Sequence, residues 1–249
     1  MKTRLDVFLV ADGRVQSRQR AKALIMAGKV SVNGQVFDKP GRPVSEADEI
    51  VVLASDQPYV SRGGLKIEKA LYEFRVNVSG RVCMDVGAST GGFTDCLLQN
   101  GAAHVYAIDV GYGQLAWKLR VDSRVTVIER TNIRTLNPDA IQEPVDLAAI
   151  DVSFISLRIV IPAVLQYLKP QGTIIALIKP QFEIGKGMVG KGGVVRDAAQ
   201  HQMVVDGISN FCRQTGLSVL SVIPSPIKGP KGNTEFLIHL TSNPALHRK

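Results

Sequence analysis

The 249-residue chain is poor in cysteine and in aromatic residues, with three cysteines, one tryptophan and an aromatic content of 6%. Cys83, Cys96 and Cys212 lie far apart and form no C-x-x-C pair. An odd number of scattered cysteines argues against a disulfide framework and against a zinc site, and it favours a reducing compartment. We therefore expect three buried free cysteines and no bound metal.

Long apolar runs are also missing. No stretch approaches the roughly 18–20 apolar residues that cross a bilayer as a helix, and the first residues are charged and then amphipathic, unlike a secretory signal. We expect a cytoplasmic protein with no stable membrane insertion. Hydrophobic residues make up 45% of the chain and charged residues 21%, which is ordinary for a globular protein.

Acidic residues are outnumbered, because 30 Lys and Arg face 22 Asp and Glu for a net charge of +8. Part of the excess is concentrated at the start, where residues 1–30 contain seven Lys or Arg and two Asp. Such an excess favours a polyanionic partner, with nucleic acid first and an acidic membrane surface second.

The first fifty residues predict a small α+β domain. Apolar residues recur at helical spacing over 3–10, and a second helix over 18–27 is capped by Ser17 and closed by a glycine. An alternating pattern over 30–36 is interrupted by Asn33-Gly34, which is a strong hairpin signal. Val44 and residues 50–53 complete the small sheet.

This N-terminal region resembles the RNA-binding module that a small-subunit ribosomal protein shares with pseudouridine synthases and tyrosyl-tRNA synthetases. The resemblance covers roughly residues 3–53, and it is carried by 17–22, Gly28-Lys29-Val30 and Val32-Asn33-Gly34. Basic residues on a fixed helix can neutralise phosphates. The candidate RNA-binding residues are Arg4, Arg14, Arg18, Arg20 and Lys22, with Arg62 just beyond the module. The alternative is a solvated charged helix face.

A glycine-rich turn organises the rest of the chain. Residues 82–86 are an apolar strand interrupted by one acid, the turn follows through Gly87 to Gly92, and helical spacing begins at Phe93. A strand, a tight turn and a helix are the first crossover of a doubly wound sheet, and the helix amides face a ligand over the turn. The spacing is not G-x-G-x-x-G, so the dinucleotide fingerprint fails. The next strand ends in Asp109, 22 positions after Gly87, where an acid accepts hydrogen bonds from ribose hydroxyls.

Strands and helices alternate beyond residue 81, which predicts an α/β fold with a mainly parallel, Rossmann-like sheet covered on both faces. Residues 55–60 lack periodicity and contain a proline, so we place a linker there between an RNA-binding domain at 1–54 and a large domain at 61–249. In the large domain, strands are predicted at 81–86, 104–109, 125–128, 146–150, 172–178, 217–223 and 234–240, and helices at 61–74, 93–100, 113–120, 138–142, 157–168 and 197–214.

Four charged residues stand where such a sheet presents polar groups to a ligand. Asp151 and Lys179 each follow an apolar strand, Lys66 lies on the helix before the first strand, and Glu235 begins the last strand. Ligands of open α/β sheets bind at the carboxyl ends of the strands. Taken singly, each residue fits a surface charge or an ion pair; together they point to one catalytic cleft.

These positions resemble the Lys-Asp-Lys-Glu tetrad of ribose 2′-O-methyltransferases of the FtsJ type, and nearly the whole chain resembles the TlyA family, historically labelled haemolysins. The family's phrases are residues 60–66, 87–94, 151–156, 179–183 and 232–236. The resemblance implies methylation of cytidine 2′-oxygens by S-adenosylmethionine (SAM) on large-subunit rRNA, and on small-subunit rRNA in some members. It also implies a final antiparallel strand pair. The partners would be ribosomal RNA or ribosomal subunits.

The resemblance assigns roles to the residues. Lys66, Asp151, Lys179 and Glu235 would be catalytic, with Lys179 taking the ribose proton or only polarising the hydroxyl. The implied SAM-binding residues are Gly87, Ala88, Ser89, Thr90, Gly91, Gly92, Phe93, Thr94, Asp109, Asn132 and Asp151. Relatives tend to have an acid near position 132 for the adenine amino group, so Asn132 departs from the pattern.

Two other function classes stay open at this stage. One is an RNA-binding or ribosome-assembly factor without turnover, and the other is the membrane-lytic protein that the historical label implies. The glycine-rich segment 185–196 is either a flexible loop or a clamp on the RNA backbone. We expect a monomer, with a dimer as the alternative.

Overall fold

A computed structural model describes residues 2–15, 17–52, 58–185, 187–190, 192–229 and 231–243, apart from the side chain of Arg20. It divides into two compact units, Met1–Pro58 and Tyr59–Lys249. The expected linker at 55–60 lies partly outside the described residues, and the expected domain limits stay a prediction.

The first unit is a small α+β fold, as its sequence predicts. Its elements are β1 (Thr3–Arg4), α1 (Leu5–Ala11), α2 (Arg18–Met26), β2 (Val30–Val32), β3 (Gln35–Val36), β4 (Pro43–Val44) and β5 (Ile50–Val52). The predicted hairpin is confirmed, because β2 pairs antiparallel with β3 and β5. At its turn, Asn33 and Gly34 have φ angles of 51° and 78°, as a two-residue turn with both φ positive requires.

The second unit contains a Rossmann-like sheet. Its strands are β6 (Val82–Val86), β7 (His104–Ile108), β8 (Val125–Ile128), β9 (Val145–Ile150), β10 (Leu168–Ile178), β11 (Leu217–Pro224) and β12 (Phe236–Ser242). Its helices are α3 (Gly63–Glu73), α4 (Gly92–Gln99), α5 (Trp117–Arg120), α6 (Leu157–Leu165), α7 (Pro180–Glu183) and α8 (Ala198–Gln214), with 3-10 turns at Ile133–Thr135 and Pro138–Ala140.

The strand order in the described part of this unit is β11-β12-β10-β9-β6-β7-β8. The pairs from β10 to β8 are parallel, and β12 runs antiparallel to both β10 and β11. The expected final antiparallel pair is therefore confirmed. Apolar side chains form one core cluster on each face of the sheet, one with α6 and α8 and the other with α3 and α4. All three cysteines are free and buried.

Three predicted helices are shorter than their sequence patterns indicated. The helix expected at 157–168 is α6, which ends at Leu165, and β10 already begins at Leu168. The helix expected at 113–120 is only the single turn α5, because Gly113 has a left-handed φ of 69° and its amide donates to the Glu129 carboxylate. The helix expected at 138–142 is a 3-10 turn. The helix α7, directly after Lys179, was not predicted, because four residues are too few to show periodicity.

Within the described ranges, no helix combines the length and the apolar character needed to cross a membrane. Over the same residues, no cluster of three or more His, Cys, Asp or Glu side chains could hold a metal ion.

Candidate active site

The sheet topology brings the four predicted catalytic residues together. Asp151 follows β9 and Lys179 follows its neighbour β10, so both lie at the carboxyl edge of the parallel strands. Glu235 precedes β12, whose antiparallel direction puts its start at the same edge. Lys66 reaches this edge from α3, and all four side chains line one cleft of about 360 Å³, which we call the tetrad cleft.

The four charges form a continuous ion-pair chain. Lys66 Nζ lies 2.8 Å from Glu235 Oε2 and 3.5 Å from Asp151 Oδ2. Lys179 Nζ lies 2.6 Å from Asp151 Oδ1 in an approach that is not aligned as a hydrogen bond. Lys66, Lys179 and Glu235 are at most 8% exposed. Two positive and two negative groups thus compensate each other, which is the condition for keeping charges in a buried place.

Lys179 has a second partner that the sequence did not single out. Its Nζ donates a hydrogen bond of 2.9 Å to Ser153 Oγ.

The residue after Ser153, Phe154, has a φ of 63° and is 90% exposed. Its ring lies 5.0 Å from that of Phe182. An exposed aromatic surface at the rim of the site offers a face on which a nucleobase can stack.

Glu183 joins the two loops that bear Asp151 and Lys179. Its carboxylate accepts from Ser156 Oγ at 2.6 Å and from the Leu157 amide at 2.7 Å. Burial raises the pKa of Glu183 above its ordinary value, and the hydrogen bonds from Ser156 and Leu157 oppose that shift. The loop after β9 and the turn α7 after β10 are therefore fixed to each other beside the ion-pair chain.

Asp85, the acid inside strand β6, is a buried carboxyl that lines the tetrad cleft. Its Oδ2 accepts from the backbone amide and the hydroxyl of Thr94, at 2.9 and 2.7 Å. Its Oδ1 is buried and has no partner among the described residues. Burial raises the pKa of Asp85 to about 7, with smaller contributions from the charges of Asp151 and Asp109.

The glycine loop takes the strand-turn-helix form that the sequence predicted. Gly87, with a φ of 89°, packs so closely on the Asp151 backbone that a Cβ would lie 2.5 Å from its carbonyl oxygen. Within the described ranges, the loop residues that line the tetrad cleft are Gly87, Ala88, Ser89, Thr90, Gly92 and Phe93. Gly91 and Thr94 line neither cavity of the site: Gly91 packs against Leu119, and Thr94 binds Asp85.

Asp109 and Asn132 line an adjoining cavity of about 380 Å³, which we call the Asp109 cavity. It shares Gly87, Ser89, Asp151 and Ser153 with the tetrad cleft. Asp109 accepts from the Ser89 and Gly111 amides, both at 2.7 Å. Asn132 Oδ1 accepts from the Arg134 amide at 3.1 Å and so caps the 3-10 turn, which leaves its Nδ2 donor available to a ligand.

Two of the predicted RNA-binding arginines are held by one buried acid in the first unit. Asp6 Oδ1 lies 2.9 Å from Arg4 Nε, and Asp6 Oδ2 lies 2.9 Å from Arg18 Nε. The hydrogen bond from Arg4 lowers the pKa of Asp6 to about 2, with Arg18 assisting. Both arginine side chains remain about half exposed.

The other predicted cations differ in their surroundings. Arg14 pairs with Asp12 and donates to the Ile50 carbonyl. Lys22 is exposed. The side chain of Arg20 lies outside the described residues, and Arg62 belongs to the second unit, where it lines the tetrad cleft.

Comparison with known proteins identifies the architecture. Residues 59–242 match the FtsJ-like methyltransferase family, and residues 3–50 match the S4 domain. The chain belongs to the FtsJ-like methyltransferase family. Both family resemblances drawn from the sequence are confirmed, and the tetrad cleft lies within the part that matches the FtsJ-like methyltransferases.

Full-length relatives of this FtsJ-like methyltransferase include the 16S/23S rRNA (cytidine-2′-O)-methyltransferase TlyA of Mycobacterium tuberculosis, which is 48% identical over 96% of this chain and 90% of its own length. Hemolysin A of Brachyspira hyodysenteriae is 41% identical over 95% of this chain and 98% of its own length. A solved structure described as "Putative hemolysin from Streptococcus thermophilus" has a TM-score of 0.77 and 45% identity, and it covers 97% of this chain and 89% of that chain. The chain is a TlyA-type member of the family.

Proposed function

We propose that this protein is a SAM-dependent 2′-O-methyltransferase that acts on cytidine ribose in ribosomal RNA, with its S4 domain binding the RNA. The observation that supports it most strongly is the ion-pair chain from Glu235 through Lys66 and Asp151 to Lys179. Four ionisable side chains from separate elements of the fold converge on one cleft beside a glycine loop. The TlyA relative, which shares 48% identity, gives the substrate class.

The residues of the two cavities fit SAM. The Asp109 carboxylate would accept from ribose hydroxyls, and Asn132 Nδ2 would donate to an adenine ring nitrogen. The buried Asp85 Oδ1, which lacks a partner among the described residues, suits the α-ammonium group. Gly87 packs directly on the Asp151 backbone, so the glycine loop and the loop that bears Asp151 would contact the cofactor together. When bound, SAM supplies an electrophilic methyl group on a sulfonium.

The tetrad would then align the reacting ribose. Methyl transfer needs oxygen, carbon and sulfur in line, so much of the catalysis consists of holding the 2′-oxygen in one position. Lys179 lies at the carboxyl edge and would contact that oxygen. Asp151 and Ser153 fix the Lys179 amine, while Lys66 and Glu235 keep Asp151 oriented from its other side.

Lys179 has two possible roles toward the hydroxyl. It can accept the proton as a general base, or it can donate a hydrogen bond that orients the oxygen. Lys179 Nζ donates a hydrogen bond to Ser153 and forms an ion pair with Asp151, and these contacts favour the orienting role.

The S4 domain would deliver RNA through Arg4, Arg14, Arg18, Arg20 and Lys22, and Arg62 would meet RNA at the cleft. Arg4 and Arg18 are fixed by Asp6 and still half exposed, so each retains donors for phosphate oxygens. Ribosomal subunits or their RNA would be the partners. We infer a monomeric protein that works in the cytoplasm, where this substrate is found.

The test is transfer of a labelled methyl group from SAM into purified ribosomal subunits and naked rRNA, followed by nuclease digestion. We expect 2′-O-methylcytidine as the labelled product.

Two alternatives are tested as well. SAM binding without label in any RNA would favour a non-catalytic assembly factor. A vesicle-leakage assay with anionic liposomes at low salt tests the lytic alternative, for which we expect no leakage.

A further inference from the structure

The turn before Glu235 packs tightly against the Glu235 carboxylate of the tetrad. Gly229 is so near to the carboxylate of Glu235 that a Cβ would lie 2.5 Å from Oε1. The Gly229 amide donates to the Asn233 carbonyl at 2.9 Å, and the Ser225 amide to the Glu235 carbonyl at 2.8 Å. Lys228, which lies between Ser225 and Gly229, is exposed and lines the tetrad cleft.

A buried amide holds this turn from behind. Asn233 is 3% exposed. Its Nδ2 donates to the Gly193 carbonyl, and its Oδ1 accepts from the Val195 amide, both at 3.0 Å. Asn233 therefore ties the turn that bears Lys228 to the glycine-rich segment, so the backbone under Lys228 has a fixed position at the rim of the cleft.

The charges of the cleft divide into a compensated interior and an uncompensated rim. Inside, Lys66 and Lys179 are paired with Asp151 and Glu235. At the rim, the side chains of Arg62 and Lys228 have no ion pair or hydrogen bond with any residue that the structure describes. Among the described residues, nothing compensates the positive charges of Arg62 and Lys228 at the rim.

The chemistry of the target explains why an anion should lie there. In an RNA chain the 2′-oxygen and the 3′-phosphate are attached to adjacent ribose carbons. A ribose whose 2′-oxygen is at Lys179 therefore has a phosphate within a few atoms of the tetrad, at the rim rather than in the interior. A lysine on a rigid turn is a suitable point charge for a phosphate.

We propose that Lys228 and Arg62 form a phosphate clamp for the backbone of the nucleotide being methylated. This inference rests on the proposed function, because it takes RNA as the substrate. Lys228 would bind the RNA backbone and so determine which ribose lies at the tetrad, whereas the tetrad would act in the transfer step. The ligand class is a ribose-phosphate chain, and a single nucleoside without a phosphate would not engage the clamp.

Lys228→Ala and Lys231→Ala form a matched pair for the test. Both lysines are exposed and lie in one loop, but Lys231 does not line the tetrad cleft. We would measure KM and kcat for rRNA at several salt concentrations, the Kd for RNA by fluorescence anisotropy, and the Kd for SAM. Lys228→Ala should raise the KM for RNA about tenfold and reduce the slope of log Kd for RNA against log salt by about 0.7, the value for one phosphate contact on a single strand. The Kd of the Lys228→Ala variant for SAM should stay within about twofold of the wild-type value.

Three outcomes would overturn the clamp. Equal effects of the two variants would show general surface electrostatics. An unchanged KM for RNA and an unchanged salt slope in Lys228→Ala would show that Lys228 makes no contact with RNA. A raised Kd for SAM in Lys228→Ala would assign Lys228 to the SAM carboxylate. RNA binding is measured without turnover, so a protein that binds RNA with the Lys228-dependent slope but transfers no methyl group would contradict the proposed function alone.

Discussion

Gly87 faces the backbone carbonyl of Asp151 with no space for a side chain: a Cβ on Gly87 would lie 2.5 Å from that oxygen. The glycine loop after β6 and the loop after β9 that bears Asp151 therefore touch through backbone atoms. Any side chain at position 87 must displace the loop that bears Asp151, so this one contact couples the position of the glycine loop to that of the tetrad.

We expect Gly87→Ala to lower the unfolding free energy by about 2–4 kcal/mol, combining left-handed strain with the steric overlap. It should also weaken SAM binding. Gly113→Ala is the control, because Gly113 has a φ of 69° and a Cβ at that position would meet nothing within 4 Å; it should cost only about 1–2 kcal/mol. Chemical denaturation and SAM titration of both variants provide the check, and equal losses would contradict the role of the contact.

Replacing Lys179 separates its two possible roles. Lys179→Ala should reduce methyl transfer by about 10²–10⁴-fold while the SAM Kd stays within about twofold. Arginine remains charged and keeps its donors, so Lys179→Arg should recover part of the rate if the residue orients the hydroxyl and none if it is the base.

The control for Lys179 is Lys169→Ala. Lys169 pairs with Asp146 at 3.0 Å near the opposite edge of the same two strands, and its loss should leave transfer unchanged. Near-normal turnover in Lys179→Ala would remove this residue from the mechanism.

Asp85 should impose a pH dependence on stability. Its pKa is raised from 3.8 to about 7 in the folded protein, so the native state holds a proton that the unfolded state has lost. Stability is therefore lost as pH rises from about 4 to about 7, by at most about 4 kcal/mol at neutral pH. Asp85→Asn keeps an acceptor for Thr94, and it should be more stable than the wild type above pH 7 while the two converge near pH 4.

Urea unfolding of both proteins between pH 4 and 8, without SAM, measures that difference. Parallel stability profiles would show that Asp85 is ionised throughout. The same substitution should weaken SAM binding about tenfold or more at pH 8, because it removes the negative charge that a cationic group would meet. A SAM affinity equal to that of the wild type would leave Asp85 without a role in binding.

Glu183 is a positioning residue in our view, because it touches neither cavity and acts through the two loops that it joins. Glu183→Gln retains one acceptor, whereas Glu183→Ala loses both. We expect kcat to fall about tenfold in the alanine variant and less in the glutamine variant, with the KM for RNA nearly unchanged. Steady-state kinetics would test this split, and identical kcat values for wild type and Glu183→Ala would refute it.

The sequence predicted the sheet and part of the site for a simple reason. Apolar runs bounded by glycine and charge mark strands, and the polar residues that follow neighbouring parallel strands must meet at one edge. Asp151 and Lys179 are such a pair. Glu235 required the reversed last strand, which the family resemblance implied and periodicity alone did not.

Features that depend on loop conformation were not predictable from the pattern. The exposure of Phe154 follows from a left-handed backbone at that residue, for which a phenylalanine gives no signal. The hydrogen bond from Lys179 to Ser153 and the position of Lys228 also depend on the path of a loop. One signal was available for Asp85: an acid inside an apolar strand needs a partner.

The pairing of Asp6 with Arg4 and Arg18 has a consequence for how the S4 domain can be studied and how it can change. Each arginine is a proposed contact for RNA and also the counterion of a buried carboxylate, so its removal leaves that carboxylate short of a partner. A variant that lacks either arginine would then lose RNA affinity and folding stability together, and the two effects could not be separated. Lys22 is exposed and outside this triad, so if it binds RNA as we propose, its replacement would change nucleic-acid affinity without removing a partner of Asp6.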